Sequence, residues 1–439
     1  MTLFRTMTGS PAPGTLGLRV GETVEVLGEA EIMATLDGNG ELEGLPFMPE
    51  MLAFCGRRLT VHKVAHKLCD TINRTGMRRM ERAVHLIGAR CDGQAHGGCQ
   101  TACQFYWKEA WLRRVDPANS AAPAVPADLA DPPGSRSTGA FPSGEPRPDS
   151  SSGESQSGES QSGASQSGAA HPGASQPGAA PPDGTAADTP GDLAAGRALL
   201  PVLVAATRKP PGPDGEERFS CQATELLRAA PACLPFKDVG QYVRDVRTGN
   251  AGPLFTLRAI LVGLFNRFQD RSARVLPRPL RIRGGLRWGF VRGRLTGATP
   301  AATLDLRPGE WVRVKSKEEI VKTLNQDLLN RGMGFEEEMS RHCGRVARVL
   351  ARVERCIDER TGRLLEMRTP SVTLEGVVCT GAYSAGCPRQ FVPFWREIWL
   401  ERVGDPAAGP GTTSWSDPAA RPGSAAGPDD TVRPGDRRD

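Results

Sequence analysis

The chain has 439 residues, with 55 basic and 50 acidic side chains and a formal net charge of +5. This length suits two or three domains, and so small a basic excess is only weak evidence for a nucleic-acid partner. No segment approaches the roughly 18 uninterrupted apolar residues of a membrane span, so we expect no membrane-spanning helix.

The beginning of the chain and the cysteine count indicate a reducing compartment. The segment MTLFRTMTGSPAPG lacks the apolar core of a secretory signal, so we expect a cytoplasmic protein. Thiols stay reduced there, and clustered cysteines are typical of metal ligands or redox groups. The chain has 11 cysteines, an odd number that fits poorly with a complete disulfide framework.

Composition divides the chain into five segments. Residues 116–197 are rich in Ser, Gly and Pro, and such a segment buries too little apolar surface to offset its conformational entropy. We therefore expect a disordered linker there and a disordered tail over 404–439. The predicted folded regions are a first module over 15–115, a mixed α/β middle region with an arginine-rich segment over 198–300, and a second module over 301–403.

The two predicted modules are similar to each other at an offset of 288 residues. Residues 18–57 lie over 306–345 without a gap and share 17 identities in 40 positions. The segment WKEAWLRRV (107–115) lies over WREIWLERV (395–403) in the same register. The chain is therefore predicted to contain a duplicated module of about one hundred residues.

Each module has the pattern of a small β structure. G-E-x-V-x-V predicts a short strand after a glycine turn, and an acidic helical segment follows it. CGRRLTVHKVAHK predicts a strand, and MRRMERAVHLIG predicts a strand that returns antiparallel to it. The opening L-R-P-G-E-W-V-R-V resembles the first strand of SH3-like barrels, a resemblance that implies only a fold. The expected fold is mainly β with α insertions: two duplicated SH3-like small-barrel modules separated by a disordered linker and a partly helical middle region.

The middle region combines an apolar helix with basic residues. PLFTLRAILVGLFNRFQD has apolar side chains at helical spacing, which predicts a helix that packs through that face. Eight arginines follow between Arg271 and Arg294. Such a run is either a solvated face or a contact surface for nucleic-acid phosphates. The predicted packing face consists of Leu254, Leu257, Leu261, Leu264, Phe265 and Phe268.

The cysteines carry the main functional signal. Because antiparallel strands fold the chain back, Cys91 and Cys99 are expected to return beside Cys55. Cys69 lies at the far end of the strand, roughly 35–45 Å away if that strand is straight. In the second module, Cys343, Cys379 and Cys387 occupy the matching positions at the offset of 288, and Cys356 matches Cys69 with a one-residue slip.

Zinc binds four tetrahedral nitrogen or sulfur ligands, so each cluster of three thiols needs a fourth ligand. In the first module it is Cys103 or His96, and in the second only His342 is a candidate. A closed first site and an open second one would place a structural ion beside a reactive one. An iron–sulfur cluster is the alternative cofactor. The predicted metal ligands are Cys55, Cys91, His96, Cys99 and Cys103 in the first module and Cys343, Cys379 and Cys387 in the second.

The remaining candidates have simpler structural interpretations. Cys69, Cys356, Cys221 and Cys233 are typical of small buried hydrophobes. The tryptophan pairs at 107/111 and 395/399 are predicted to pack under the sheet. Glu109 and Glu397 are expected to form salt bridges with Arg113 and Arg402. We interpret His62, His66 and His85 as ordinary surface or core histidines.

Three functions remain open from the sequence. The first is a zinc-binding accessory or interaction protein that presents a surface to a protein partner. The second is a metal- or thiol-dependent enzyme with an open cysteine site in the second module. The third is a nucleic-acid-binding protein that uses the arginine run. The chain has no P-loop, G-x-S-x-G or H-E-x-x-H motif.

Overall fold

The computed structural model describes residues 15–115, 199–290 and 292–405. The predicted linker over 116–197 and the predicted tail beyond residue 405 lie outside the described residues. As expected, the described parts are mostly β, with two five-stranded sheets and few helices. No helix among the described residues is both long and apolar enough to cross a membrane.

The first half of the structure has nine short strands. They are β1 (Thr23–Val26), β2 (Glu41–Leu42), β3 (Leu45–Pro46), β4 (Arg58–Val64), β5 (Lys67–Cys69), β6 (Met77–Arg79), β7 (Ala83–Leu86), β8 (Trp107–Lys108) and β9 (Leu112–Arg114). The main sheet has the antiparallel order β8-β7-β4-β1-β9. Its edge strands β8 and β9 do not pair with each other, so the sheet is not a closed barrel.

Alternating burial along β1 directs its valines into the first core. Val24 and Val26 are fully buried, while Thr23 and Glu25 are partly exposed. Helix α1 (Glu29–Met33) adds Ile32 to the same core. The predicted tryptophan pairs are fully buried: Phe47 contacts the rings of Trp107 and Trp111 edge-on, with centroids 6.2 and 5.1 Å away.

The two long strands predicted after Cys55 are each broken in the structure. The first becomes β4 and β5, and the returning strand becomes β6 and β7. The break arises because residues 65 and 66 turn the chain out of the sheet, and Arg82 has a positive φ of 48° on the return. Hairpin β5–β6 therefore projects from the main sheet and pairs with a strand of the middle region.

The middle region packs helices and short strands against that hairpin. Its elements are helix α2 (199–206), β10 (Arg208–Lys209), β11 (Arg218–Phe219), α3 (Leu226–Ala229), β12 (Cys233–Leu234), α4 (Val239–Thr248) and α5 (Pro253–Val275). Strand β12 extends the hairpin into a three-stranded sheet, and Asn250 after α4 hydrogen-bonds both backbone groups of Val64.

The second half has the same strand order as the first. Its elements are β13 (Trp311–Val314), α6 (Lys317–Val321), β14 (Leu329–Asn330), β15 (Met333–Gly334), β16 (Val346–Arg352), β17 (Arg355–Ile357), β18 (Leu364–Glu366), β19 (Ser371–Leu374), β20 (Trp395–Arg396) and β21 (Leu400–Arg402). The main sheet has the order β20-β19-β16-β13-β21. Strand β13 begins 288 residues after β1, and each later element of the second half begins 288 residues after its counterpart in the first. The exception is β18, which begins one residue before the position that this offset predicts.

Helix α5 forms where expected, but its predicted packing face is wrong. Leu254, Leu261 and Phe268 are 75%, 57% and 50% exposed. The helix packs through the opposite face, where Ala259, Val262 and other small or polar residues are buried. Helix α4 and the 3-10 helix Ile282–Gly285 both contact α5, and Gln269 Nε2 on the buried face donates to the carbonyls of Ile282 and Leu286.

Each half reaches into the other through one projecting hairpin. Lys67 Nζ in β5 donates to the carbonyl of Ala385 at 2.6 Å. In the reciprocal contact, the backbone N–H of Gln100 donates to the carbonyl of Arg355 in β17 at 3.0 Å. The halves are thus joined by two contacts, each between a hairpin of one half and a loop of the other.

The two carboxylates between the tryptophans do not make the predicted salt bridges. Glu109 accepts the backbone N–H of Leu16 at 2.7 Å, and Glu397 accepts that of Leu304 at 2.5 Å. Arg113 and Arg402 pair with other glutamates instead. Each carboxylate therefore ties the chain entering its sheet to the short 3-10 turn before the last strand.

Candidate metal centre

The candidate centre lies in loop 90–104, between β7 and β8. The backbone N–H of Cys91 donates to the carbonyl of Cys103 at 2.8 Å, which holds the two ends of the loop together. Gly93 is required inside the loop because its φ is 74° and a Cβ there would lie 2.0 Å from the carbonyl oxygen of Cys99. A larger residue would push the cysteine-bearing segments apart.

Glu50, Cys91 and His96 form a compact group of potential ligands. Among the described residues it is the one group of three or more whose ligand atoms all lie within 4.8 Å of one another. His96 Nε2 is 3.5 Å from Cys91 Sγ, and His96 Nδ1 is 3.0 Å from Glu50 Oε1. Glu50 comes from the 3-10 helix Pro49–Phe54, outside the loop. Its carboxylate also accepts the backbone N–H of Ala95, which holds it against the loop.

Two polar atoms of this group lack hydrogen bonds despite their burial. The side chains of His96 and Glu50 are 2% and 7% exposed, and within the described part of the chain neither His96 Nδ1 nor Glu50 Oε2 has a hydrogen-bond partner. The contact of Nδ1 with Oε1 has the distance of an ion pair but not the direction of a hydrogen bond. Buried polar atoms are normally satisfied, so the group has capacity for a further ligand or proton.

Cys99 completes the polar side of the centre. Burial disfavours its thiolate, but hydrogen bonds from His96, Thr101 and the backbone N–H of Ile357 outweigh burial and lower the pKa of Cys99. Burial also disfavours the charged imidazole, yet the contacts with Cys99 and Glu50 raise the pKa of His96 to about 9. The Cys99 thiolate and the His96 imidazolium therefore each favour the charged form of the other.

A small cavity connects four thiols with this histidine. Cys91, Cys99, Cys103, Cys221 and His96 all line it, and its volume is about 30 Å³. A water needs about 10–15 Å³ of such space, so the cavity has room for one or two waters or for one metal ion. Burial raises the pKa of Cys91 and Cys103, and raises that of Cys221 to about 11.

The first-module ligands predicted from sequence separate into two sets. The structure brings Cys91, His96, Cys99 and Cys103 together around the cavity. Cys55 does not line the cavity; it ends the 3-10 helix before β4 and packs against the first core.

In the second half, the predicted ligands separate in the same way. Cys343 packs against the second core, and His342 lies near the ring of Trp395. Cys379 and Cys387 lie near Cys69, which comes from the first half. No described residues of this half form a ligand group as compact as the one in the first.

Two members of the centre were missed by sequence reasoning. Glu50 lies over Glu338 at the offset of 288, and this identity between the two segments was the available signal. Cys221 follows β11 in the middle region and has no counterpart at that offset. Only the packing of the middle region against the first half brings its thiol to the cavity.

The arginine run is partly engaged within its own segment. Arg287 pairs with Asp270 at 2.7 Å, Arg281 donates to a nearby backbone carbonyl, and Arg283 lies over the ring of Trp288. These contacts fold the run back against the end of α5. Comparisons with models of protein families, with curated proteins and with solved structures found no match.

Proposed function

We propose that this chain is a zinc-binding protein that holds one ion between Cys91 and His96, and that Cys99 and either Cys103 or Cys221 close in on the bound ion as third and fourth ligands. The observation that carries the proposal is the 3.5 Å separation of Cys91 Sγ and His96 Nε2. With Zn–S near 2.3 Å and Zn–N near 2.0–2.1 Å at a tetrahedral angle, two ligands of one zinc lie about 3.5–3.6 Å apart. The sulfur and the nitrogen already have this spacing.

Glu50 supports the same proposal from outside the ligand set. A zinc-bound histidine usually donates its second ring N–H to a carboxylate or carbonyl, which fixes its tautomer and orientation. Glu50 Oε1 lies 3.0 Å from Nδ1, while Nε2 is the nitrogen that faces Cys91. A small rotation of the ring would convert the contact with Glu50 into a hydrogen bond and satisfy Nδ1.

The thiols that line the cavity are consistent with a structural zinc site in which protein ligands fill all four positions. Structural zinc sites use four cysteine or histidine ligands and leave no position open for a substrate. Because burial raises the pKa of Cys91 and Cys103, these thiols are protonated without an ion. Zinc binding would therefore displace protons and depend on pH.

A thiol-dependent enzyme is the main competing interpretation. Cys99, His96 and Glu50 are placed like a nucleophile, a base and the carboxylate that orients the base. Cys99 is only 7% exposed, however, and the adjoining cavity of about 30 Å³ is far smaller than a substrate pocket. The geometry favours a bound ion over catalysis.

Elemental analysis of the full-length chain tests the proposal. We expect one zinc per chain, lost in Cys99→Ser and in His96→Ala. The matched control is Cys387→Ser, which changes the equivalent cysteine of the second half and should retain zinc. Absence of stoichiometric zinc in the unaltered chain, or equal loss in Cys387→Ser, would refute the proposal. Iron with visible absorption would instead indicate an iron–sulfur cluster.

The fourth ligand is identified by cobalt substitution. Cobalt(II) absorbs in the near ultraviolet in proportion to the number of bound thiolates, so loss of one ligand lowers that band by about one third in a Cys₃His site. We expect this decrease in one of Cys103→Ser and Cys221→Ser. An undiminished band in both variants would contradict a four-ligand site in this cavity.

We further infer that the two halves are copies of one SH3-like module. The support is the common strand order, with the first strand inside the sheet and the last strand paired beside it at the edge, together with the offset of 288 residues. This inference concerns ancestry and fold only, because small barrels host many functions.

A protein-interaction role is a second candidate, and the exposed face of α5 favours it. Exposed apolar clusters of this kind commonly mark interaction sites. The face is flanked by Arg267, Arg271 and Arg274, which are also exposed, so its complement is an amphipathic helix with acidic flanks. The apolar face itself consists of Leu254, Leu257, Leu261, Leu264 and Phe268, each at least half exposed.

A designed peptide tests this surface. The probe is a fluorescent amphipathic helix with leucines at the i, i+3, i+4 and i+7 positions and glutamates at its flanks, and the control peptide has lysines instead. We expect the glutamate peptide to bind, and Leu257→Asp combined with Leu264→Asp to abolish binding. Equal binding of both peptides, or of neither, would rule out the proposed surface.

A further inference from the structure

A thiol pair that the zinc proposal does not use lies at the contact between the two halves. Cys69 lies in β5 of the first half, and Cys387 lies in a loop of the second half, 318 positions later. The backbone N–H of Cys69 donates to Cys387 Sγ at 3.2 Å. Cys69 therefore packs directly against the Cys387 sulfur, and the interaction between the two thiols raises the pKa of Cys69.

The surroundings stabilise charge on one sulfur of this pair. Hydrogen bonds from Cys69 and from the backbone N–H of Arg389 lower the pKa of Cys387 despite its burial. The same thiol–thiol hydrogen bond, together with burial, raises the pKa of Cys69. A thiolate beside a protonated thiol is the arrangement from which disulfides form.

The equivalent position in the first half differs in chemistry. The backbone N–H of Ile357 donates to Cys99, as that of Cys69 donates to Cys387, but isoleucine offers no thiol. Position 384 carries serine where the first half has His96. Cys99 therefore lies beside a histidine, whereas Cys387 lies beside another cysteine.

We propose that Cys69 and Cys387 are a redox pair that closes into a disulfide between the two halves when a peroxide is present. The Cys387 thiolate attacks hydrogen peroxide, the O–O bond breaks, and a sulfenic acid and hydroxide form. The Cys69 sulfur then attacks the sulfenic sulfur, its proton joins the departing oxygen, and water leaves. In total, two thiols and one peroxide give one disulfide and two waters.

The position of the pair suits this chemistry. Cys69 is partly exposed and Cys387 is buried, so an oxidant little larger than water would have to reach the pair beside Cys69. Hairpin β5–β6 is held against the second half by Lys67, whose Nζ binds the carbonyl of Ala385 at 2.6 Å. The pair therefore remains adjacent in the folded chain, and the disulfide would link β5 covalently to the second half.

Differential alkylation with peptide mass spectrometry tests the pair in the full-length chain. A Cys233→Ser background removes the exposed cysteine and with it intermolecular coupling. After brief hydrogen peroxide treatment, we expect one reducible cross-linked peptide that joins the segments of Cys69 and Cys387. It should be absent in Cys69→Ser and persist in Cys356→Ser, the matched change in the other hairpin.

Three outcomes would overturn the proposal. The first is full alkylation of both cysteines after peroxide treatment. The second is a cross-link between Cys379 and Cys387. The third is a second zinc per chain that is lost in Cys69→Ser, which would make this thiol group a metal site. The result is separable from the zinc proposal, because Cys99→Ser should lose zinc and still form the cross-link.

Discussion

Lys67 and Asp245 form an ion pair with an Nζ–Oδ2 distance of 2.5 Å, and their side chains are 0% and 2% exposed. The same ammonium donates to the carbonyl of Ala385, so one charge connects the projecting hairpin, helix α4 and the second half. A buried charge that loses its partner is strongly destabilising, because its desolvation is no longer offset. Loss of either charge is therefore expected to destabilise the junction of the hairpin, α4 and the second half.

Removing the charge of Asp245 should destabilise the chain. We expect Asp245→Asn to lower the free energy of unfolding by about 3–5 kcal/mol, measured by urea denaturation with tryptophan fluorescence. The control is Glu25→Gln, which disrupts the exposed pair with Arg113 and should cost less than about 1 kcal/mol. Equal effects of the two variants would show that the pair is not desolvated.

Glu50 should tune zinc affinity without being a ligand. Loss of an outer carboxylate partner of a zinc-bound histidine typically weakens the metal about 10–100-fold. We expect that loss for Glu50→Gln in a competition titration with a chromophoric chelator. Glu338→Gln, the equivalent change in the second half, should leave affinity unchanged. A complete loss of zinc in Glu50→Gln would make Glu50 a ligand and would contradict its assigned role.

The glycines of loop 90–104 should differ in their effect on zinc. Gly93 and Gly98 both have positive φ, so alanine at either position costs about 1–2 kcal/mol. Only at Gly93 would the new Cβ meet backbone, 2.0 Å from the carbonyl oxygen of Cys99, while nothing lies within 4 Å at Gly98. We expect Gly93→Ala to lose zinc and Gly98→Ala to retain it, by elemental analysis. Retention in both variants would argue against the tight loop geometry.

Acidification should destabilise the first half through His85. Full burial and the nearby His62, Arg90 and Arg389 lower the pKa of His85 to about 3, although its contact with a backbone carbonyl opposes this. Its unfolded pKa is about 6.5, so the unfolded chain binds the extra proton first. The stability from neutral His85 is complete above pH 6.5 and is lost as pH falls towards 3, with about 2 kcal/mol lost at pH 5.

The variant His85→Gln isolates this contribution. Urea denaturation between pH 8 and pH 4 should show a flatter pH dependence for the variant than for the unaltered chain, by about one proton between pH 6 and pH 4. Parallel profiles would mean that another group dominates the acid response.

Adjacent positions on α5 should respond oppositely to the same change. Leu261 is 57% exposed and Val262 is 6% exposed. We expect Leu261→Lys to change the free energy of unfolding by no more than about 0.5 kcal/mol. Val262→Lys buries an unpaired charge and should cost about 3 kcal/mol or more. A large loss in Leu261→Lys would indicate that the exposed face is covered in the folded chain.

Local sequence patterns predicted the secondary-structure elements and the cysteine-bearing loop of the candidate metal centre. The alternation in T-V-E-V places Val24 and Val26 in the core, and the glycine-rich loop carries Cys91, His96 and Cys99 within nine residues of chain. Residues so close in sequence need only a turn to meet, and the glycines supply it. The mostly β architecture and helix α5 could be predicted for the same reason, since periodicity is a local property.

Only the tertiary structure decided which distant residues meet. Cys55 and Cys69 bracket one segment of sequence, yet one packs in the first core and the other meets Cys387 of the second half. The exposed side of α5 and the approach of Cys221 to the cavity depend likewise on how separate elements pack. Periodicity specifies that a face is apolar, but the partner of that face is set by side-chain volume, turns and hydrogen bonds between segments far apart in the chain.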